Sequence, residues 1–419
     1  MQKHSFITFI FLLLLHTLHA QDTLTLEKII SKIDNDNPTA KMYDAQIRSM
    51  DEAAKGARSW MPTEFGTGFW MTPYNPKLWQ KGENGAKGMG QYMLSVQQMF
   101  PNKKKQDAEA AYMEGMSSSE KERKKFELNQ LYAEAKKNYY DWVILKKKLS
   151  IIYDNEKLLN FMIKDAEIRY KNGLDKLSAY YKAKAELENL VSTEVNMENE
   201  INQKRIYLNT LMNRNKFEAF EIDTTYTFKE YPTSTVDTSA ISNRSDIRAI
   251  DKDIQLTGLQ QTAERTKTKP EFGIRFDHMF GFGGFPLQYT LMGMAKIPFG
   301  KASRASKANV ESLRWKSEAL SQQKQMLINE ASGMAASISS EITTKKRQVK
   351  LFEENIIPAL RKNYQVMQLG YQQNTEQLFT LFDAWDALNK TQLEYLDLFQ
   401  QLLSMQVELE RILEVKPRP

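Results

Sequence analysis

Residues 103–172 form a run of 70 positions with no proline and a single glycine, Gly115. Apolar side chains recur through it at helical spacing, at Leu128, Tyr132, Ala135, Tyr139, Trp142, Leu149 and Tyr153. At a rise of about 1.5 Å per residue such a helix is roughly 100 Å long, taller than a compact domain. A second run begins near Lys301, and the C-terminal stretch carries the clearest pattern. Positions 381, 385, 388, 392, 395, 399, 402, 406, 409 and 413 read Leu, Trp, Leu, Gln, Tyr, Phe, Leu, Gln, Leu and Leu. That is a coiled-coil seam interrupted by Gln392 and Gln406. A chain built this way has to span a distance.

Residues 1–20 place one lysine and an apolar block, residues 6–15, ahead of Leu18-His19-Ala20. About ten apolar residues are too few to cross a bilayer as a helix, so this segment reads as a signal peptide cut after Ala20. Nothing beyond it approaches the ~20 apolar residues of a spanning helix, which leaves strands as the only way through a membrane. Cysteine is absent, and of four histidines only His278 lies beyond the signal segment. Disulfides, thiolate chemistry, histidine triads and multi-histidine metal sites are thereby excluded. No carboxylate pair sits in a context that would form a cleft, so the chain reads as a non-enzyme with no cofactor. Its 58 basic and 52 acidic residues are interleaved along the helical runs, the pattern of solvated helix faces and not of a nucleic-acid interface.

The chain also repeats itself. Residues 170–177 lead to Leu187 as residues 371–378 lead to Leu388, at a constant offset of 201, while Phe100-Pro101 and Ile297-Pro298 precede the two long runs at an offset of 197. The two internal repeats, residues 21–212 and 244–414, thus differ by a four-residue insertion, a stutter that locally unwinds a left-handed supercoil. Each repeat is expected to open with a helix, over residues 38–59 and 244–267. Two alternating segments follow in each, at residues 64–71 and 91–98, then at 272–278 and 287–297. Phe65, Thr67, Phe69 and Met71 share one face, as do Tyr92, Leu94 and Val96; Phe272, Ile274 and Phe276; and Leu287, Tyr289, Leu291 and Ile297. Apolar residues on one face at a period of two, with Gly, Ser, Gln, Arg275 and Asp277 on the other, read as membrane-barrel strands. Trp60, Trp70, Phe100 and Phe299 stand near their ends as interfacial aromatics, and Gly-rich loops join them. Four strands cannot close a barrel, so the chain must oligomerise; two, three or more copies all close arithmetically. Long helices over residues 103–172 and 301–373 turn back at two tips into return helices over residues 175–212 and 375–414. Residues 213–243 form a connector between the repeats, and residues 415–419 a short tail.

With this plan the chain resembles the TolC-like outer-membrane efflux family over essentially the whole mature length. The most specific stretch is Ile356-Ile357-Pro358-Ala359, then Tyr371, Leu378, Leu381, Asp383-Ala384, Leu388, Tyr395-Leu396 and Leu409-Glu410. The resemblance implies a mainly α fold: a long α-helical coiled-coil barrel below a small transmembrane β-barrel of four strands per chain, twelve in a homotrimer. It implies an outer-membrane protein with a periplasmic helical extension, a passive duct that meets a periplasmic adaptor and an inner-membrane pump. It also implies a periplasmic gate at Asp383, with Thr380 where some relatives carry a second aspartate. Adaptor-docking tips fall at Gly173, Leu174, Asn374 and Thr375, and Pro358 is tolerated at its place in the helix. Phe65, Tyr92, Phe272 and Tyr289 would face lipid.

Alternation places Met93, Met292 and Met294 on the polar side of their strands, where thioethers suit Cu(I) or Ag(I). The stretch from Leu291 to Pro298 resembles the heavy-metal branch of the same family, although methionine also serves as a flexible filler. A trimeric coiled-coil surface adhesin with a short membrane anchor is the competing reading; a simple anchor needs neither the duplication nor the second strand pair.

Overall fold

A computed structural model of the chain describes residues 23–173, 176–225 and 238–415. The signal segment, Leu174, connector residues 226–237 and tail residues 416–419 lie outside the described residues. In chain order the strands are β1 (Thr23–Leu24), β2 (Glu64–Trp70), β3 (Gln91–Phe100), β4 (Glu221–Ile222), β5 (Glu271–Gly281) and β6 (Gln288–Lys296). The helices are α1 (Leu26–Asp36), α2 (Pro38–Lys55), α3 (Lys103–Lys171), α4 (Leu177–Leu211), α5 (Thr238–Ser242), α6 (Ser245–Thr266), α7 (Arg304–Leu351), α8 (Ile357–Gln372) and α9 (Leu378–Ile412). The chain divides into two compact units, one of residues 43–123 and 246–327, the other of residues 1–42, 124–245 and 328–419. No helix among the described residues is long and apolar enough to cross a membrane.

The unit of residues 43–123 and 246–327 is built on an antiparallel sheet in the order β2-β3-β5-β6. Its ladder sets Phe65 beside Val96, Val96 beside Phe276 and Phe276 beside Leu291; two levels away Tyr92 stands between Phe69 and Phe280. Cross-strand partners share a face, so the apolar positions of all four strands gather on one side. That side is the open one: Phe65 is 79% exposed, Tyr289 73% and Leu291 68%, whereas Gln91 and Asp277 on the polar side are 6% and 3% exposed. A water-soluble sheet distributes its residues the other way round. The polar side is knit by its own contacts. Gln91 Nε2 donates to Gln288 Oε1 at 2.8 Å over the intervening strand, and Arg275 Nε donates to Asp277 Oδ1 at 2.8 Å.

The strand ends depart from the sequence reading in two ways. β3 and β5 run further than alternation indicated: Phe100 extends β3 by pairing with Phe272, and Met279, Phe280 and Gly281 extend β5 by pairing with Met93, Tyr92 and Gln91. Met71 leaves the apolar stripe instead, since β2 ends at Trp70 and Met71 takes φ +48, a turn conformation. Beyond that end the two loops are bound together: Trp79 stacks between Phe69 and Phe282 at 5.8 and 5.3 Å, and the Gly88 N–H donates to Gly283 O at 2.9 Å. A Cβ at Gly88 would fall 2.2 Å from Trp79 O, so glycine is what lets these backbones meet.

In the other unit α3 is buried around its circumference at Asp141, Trp142, Val143, Ile144 and Leu145. Trp142 meets Phe220 edge-on at 5.2 Å in a core with Ile29, Ile33, Leu208 and Met212, while Ile144 packs with Leu396 and Leu403. The connector therefore contributes core through Phe220 and through β4, which pairs in parallel with β1, a ladder too short for any periodicity to announce. Along α9 the expected seam is buried at Leu381, Trp385, Leu402, Gln406 and Leu409, but a second stripe is buried beside it at Phe382, Asn389, Leu396, Leu403 and Glu410. The helix packs against more than one neighbour, so its buried face is wider than a two-stranded seam. On α3 Ile152 is buried and Tyr153 is exposed, the drift expected because 3.6 residues per turn do not divide seven.

The second long helix, expected unbroken over residues 301–373, starts later and is interrupted once. A 3-10 turn at Gly300–Ser303 precedes α7, and a π turn at Phe352–Ile356 separates α7 from α8. The cause is Pro358, which has no N–H to donate and whose ring crowds the carbonyl four residues back. Widening the turn relieves the crowding, and the Ile357 N–H reaches back five residues to Phe352 O.

Candidate functional site

The two tips are built alike, and the 201-residue offset explains why. Gly173 takes φ +69 and its equivalent Asn374 takes φ +59, each reversing the chain after a long helix. Glycine enters that region freely, and asparagine is the side chain that tolerates it best. The second turn is closed by the N–H and Oγ1 of Thr375, which both donate to Gly370 O, at 2.9 and 3.0 Å. Arg169 Nη2 donates to Asn374 Oδ1 at 2.6 Å and so ties the end of α3 to the second tip. Leu174, the remaining tip residue, lies outside the described residues.

Behind the tips Arg169 lies over the Tyr371 ring at 4.4 Å, and the Tyr371 hydroxyl donates to Asp165. These groups line a cavity of about 250 Å³ with Phe161, Tyr364 and Gln368. Burial pushes the Tyr364 phenol above its ordinary pKa. Deeper in, Trp385 Nε1 donates to Asn155 Oδ1 at 2.6 Å and Asn155 Nδ2 to Asn389 Oδ1 at 2.7 Å, which satisfies the amides inside an apolar cluster.

Asp383 is exposed on the first turns of α9, and its Oδ1 stands 2.9 Å from Lys182 Nζ on α4. The ammonium also lies 4.4 Å from the Phe382 ring and 5.4 Å from the Phe379 ring. Lys182 was not singled out by sequence, yet a signal was there: 182 and 383 are separated by the same 201 residues, so equivalent positions of the two repeats carry opposite charges. Thr380 does not join them. Its hydroxyl lies 2.7 Å from Gln377 O and 3.2 Å from Glu376 Oε2, contacts local to the start of α9.

The three methionines fall on the polar side of the sheet but not in one place. Met93 is level with Met279, Met292 with Arg275, and Met294 with Gly273 and Met99. Met93 and Met99 are six residues apart on β3, about 20 Å. The close pair is one the sequence did not suggest: a Cβ at Gly273 would lie 2.4 Å from Met99 Sδ and 3.2 Å from Met294 Cε, so both thioether chains fold over the same glycine. Among the described residues no group of three or more His, Cys, Asp or Glu could hold a metal ion.

The sequence matches no protein-family model and no curated protein sequence. The fold, by contrast, matches solved structures. The outer-membrane channel OprN gives a TM-score of 0.73 at 13% identity, covering 93% of this chain and 89% of that one. CusC, whose structures concern folding and transmembrane channel formation, gives 0.74 at 14%, covering 93% and 91%. The outer-membrane protein VceC of Vibrio cholerae gives 0.72 at 14%, covering 93% and 95%. Strand pairs, long helices and paired tip turns together give this chain the fold of the TolC-like outer-membrane channels.

Proposed function

We propose that this chain is the outer-membrane channel of a tripartite efflux system: a homotrimer whose twelve strands close a barrel in the outer membrane and whose helices form a periplasmic tunnel. It is a passive duct, neither an enzyme nor a cofactor protein, and draws its energy from an inner-membrane pump coupled through a periplasmic adaptor. The observation that carries this reading is the inverted sheet, with Phe65, Phe272, Tyr289 and Leu291 open and Gln91, Glu271 and Asp277 covered. Such a face is stable against lipid and unstable against water. The repeated order of strand pair, long helix and return helix supports a duplication, which a simple adhesin anchor does not need. In detergent, multi-angle light scattering should give a protein mass of three chains; a monodisperse monomer would overturn the reading.

Asp383 fits the periplasmic mouth, where three carboxylates around the axis would favour cations. Each is offset by its own Lys182, so the two residues should act in opposite directions. In planar bilayers Asp383→Ala should lower cation selectivity, and Lys182→Gln, which leaves the carboxylate uncompensated, should raise it. Reversal potentials in a salt gradient measure both. Equal shifts of one sign, or none, would remove the pair from the conduction path.

A further inference from the structure

We infer that Glu64 of one copy and Lys296 of the next form an ion pair on the polar side of the barrel wall, across the seam where β2 and β6 of neighbouring copies join. The inference rests on the trimeric reading above and extends it to a register. β2 and β6 are the two edges of the sheet, so their outward backbone groups have no ladder partner among the described residues. Glu64 opens one edge strand and Lys296 closes the other. Both are exposed, and among the described residues neither has an ion-pair partner.

The register follows from three constraints. The first is parity. Polar must continue into polar around the wall, and Glu64 and Lys296 both belong to the polar set, so the two strands can shift against each other only by even numbers of residues. The second is tilt. Directly across the sheet, Glu64 is level with Gln97, Arg275 and Met292, so the stagger per copy is the shift of the next β2 against Met292. With a rise of about 3.3 Å and a strand spacing of about 4.8 Å, staggers of two, four, six and eight residues per four strands tilt the strands by about 19°, 35°, 46° and 54°. Barrels tilt by about 35–45°, which leaves four and six.

The third constraint is overlap, which fixes direction. Shifted four one way, every residue of Glu64–Trp70 finds a partner on Gln288–Lys296, and shifted six that way five of the seven do; shifted four the other way, only Glu64 would. In the retained direction a stagger of four sets Glu64 directly opposite Lys296. A stagger of six carries it past the end of β6 to the level of Pro298 and sets Lys296 opposite Gly66, so that Lys296 is its diagonal neighbour, still within reach of long side chains. Both permitted registers therefore bring the carboxylate and the ammonium together, whereas a stagger of eight or a shift the other way separates them.

The absence of cysteine makes the test clean. The full-length Glu64→Cys/Lys296→Cys protein, treated in membranes with a short bis-methanethiosulfonate reagent, should give dimer and trimer bands on denaturing gels that vanish on reduction. A Glu64→Cys/Gln288→Cys control should give none. In parallel, Glu64→Lys and Lys296→Glu should each lower the temperature at which the trimer dissociates in SDS, and the double reversal should restore it. If light scattering shows a trimer while the 64/296 pair does not crosslink or the reversals do not compensate, the seam pair is wrong and the duct reading stands. If the protein is a monomer, the duct reading itself has failed.

Discussion

Thr375→Arg is expected to abolish export while leaving assembly intact. Thr375 is exposed at the second tip, and the backbone hydrogen bond from its N–H to Gly370 O survives any substitution. The arginine removes only the hydroxyl contact to Gly370 O, worth about 0.5–1.5 kcal/mol. It adds a long cation at the proposed adaptor contact, where it should block docking by bulk and charge. Two companions are less clean for reasons the geometry supplies. Gly173→Trp finds open space around its Cβ, but at φ +69 it strains the turn by about 1 kcal/mol. Asn374→Trp also loses the Arg169 clamp. Accumulation of a fluorescent efflux dye should match that of cells lacking the chain, with trimer recovered normally from the outer membrane. Wild-type efflux in all three variants would move adaptor contact away from the tips.

The largest loss of stability is expected from Lys136→Met. Lys136 Nζ lies 2.6 Å from Glu410 Oε2, with side chains only 9% and 10% exposed. Removing the ammonium takes the Lys136 charge away from a buried carboxylate, while Gln406 Nε2 stays at 3.2 Å. Breaking a buried ion pair from one side costs about 3–5 kcal/mol. The neighbouring Tyr140 phenol reports the same environment, since burial first and the Glu410 charge second push it up to about 12. Replacing both partners, Lys136→Met with Glu410→Met, should recover most of the loss, because apolar pairs of similar volume substitute well for buried ion pairs. Denaturant unfolding followed by circular dichroism in detergent measures all three proteins; if the double variant is as unstable as the single one, the pair is not the cause.

That ion pair also shows what the sequence could and could not say. Gln406 was legible as a polar interruption of a seam, but its partner Glu410 belongs to the neighbouring stripe, and periodicity along one helix does not reveal that a second helix face is buried. The long helices and strand alternation were readable because each is a local pattern repeated many times. The tips were readable as breaks, and their left-handed turns follow from Gly173 and Asn374. Lys182 beside Asp383, and Arg169 over Tyr371, depend on which helices are neighbours, information that resides in no single segment. The π turn is intermediate: Pro358 signalled trouble, but whether a helix kinks, ends or widens is decided by packing.

The open-edged, apolar-faced sheet has a kinetic consequence for the supply of chain. A single copy carries two open strand edges and a bare aromatic surface, the features that template aggregation. In the proposed trimer, completion of the wall needs three copies, so at low concentration the trimer population would vary as the cube of the monomer concentration, and halving supply would lower it about eightfold. The open sheet has no closed state to wait in. On that reading, supply of the chain sets how much of it assembles more steeply than for a protein that completes its fold alone.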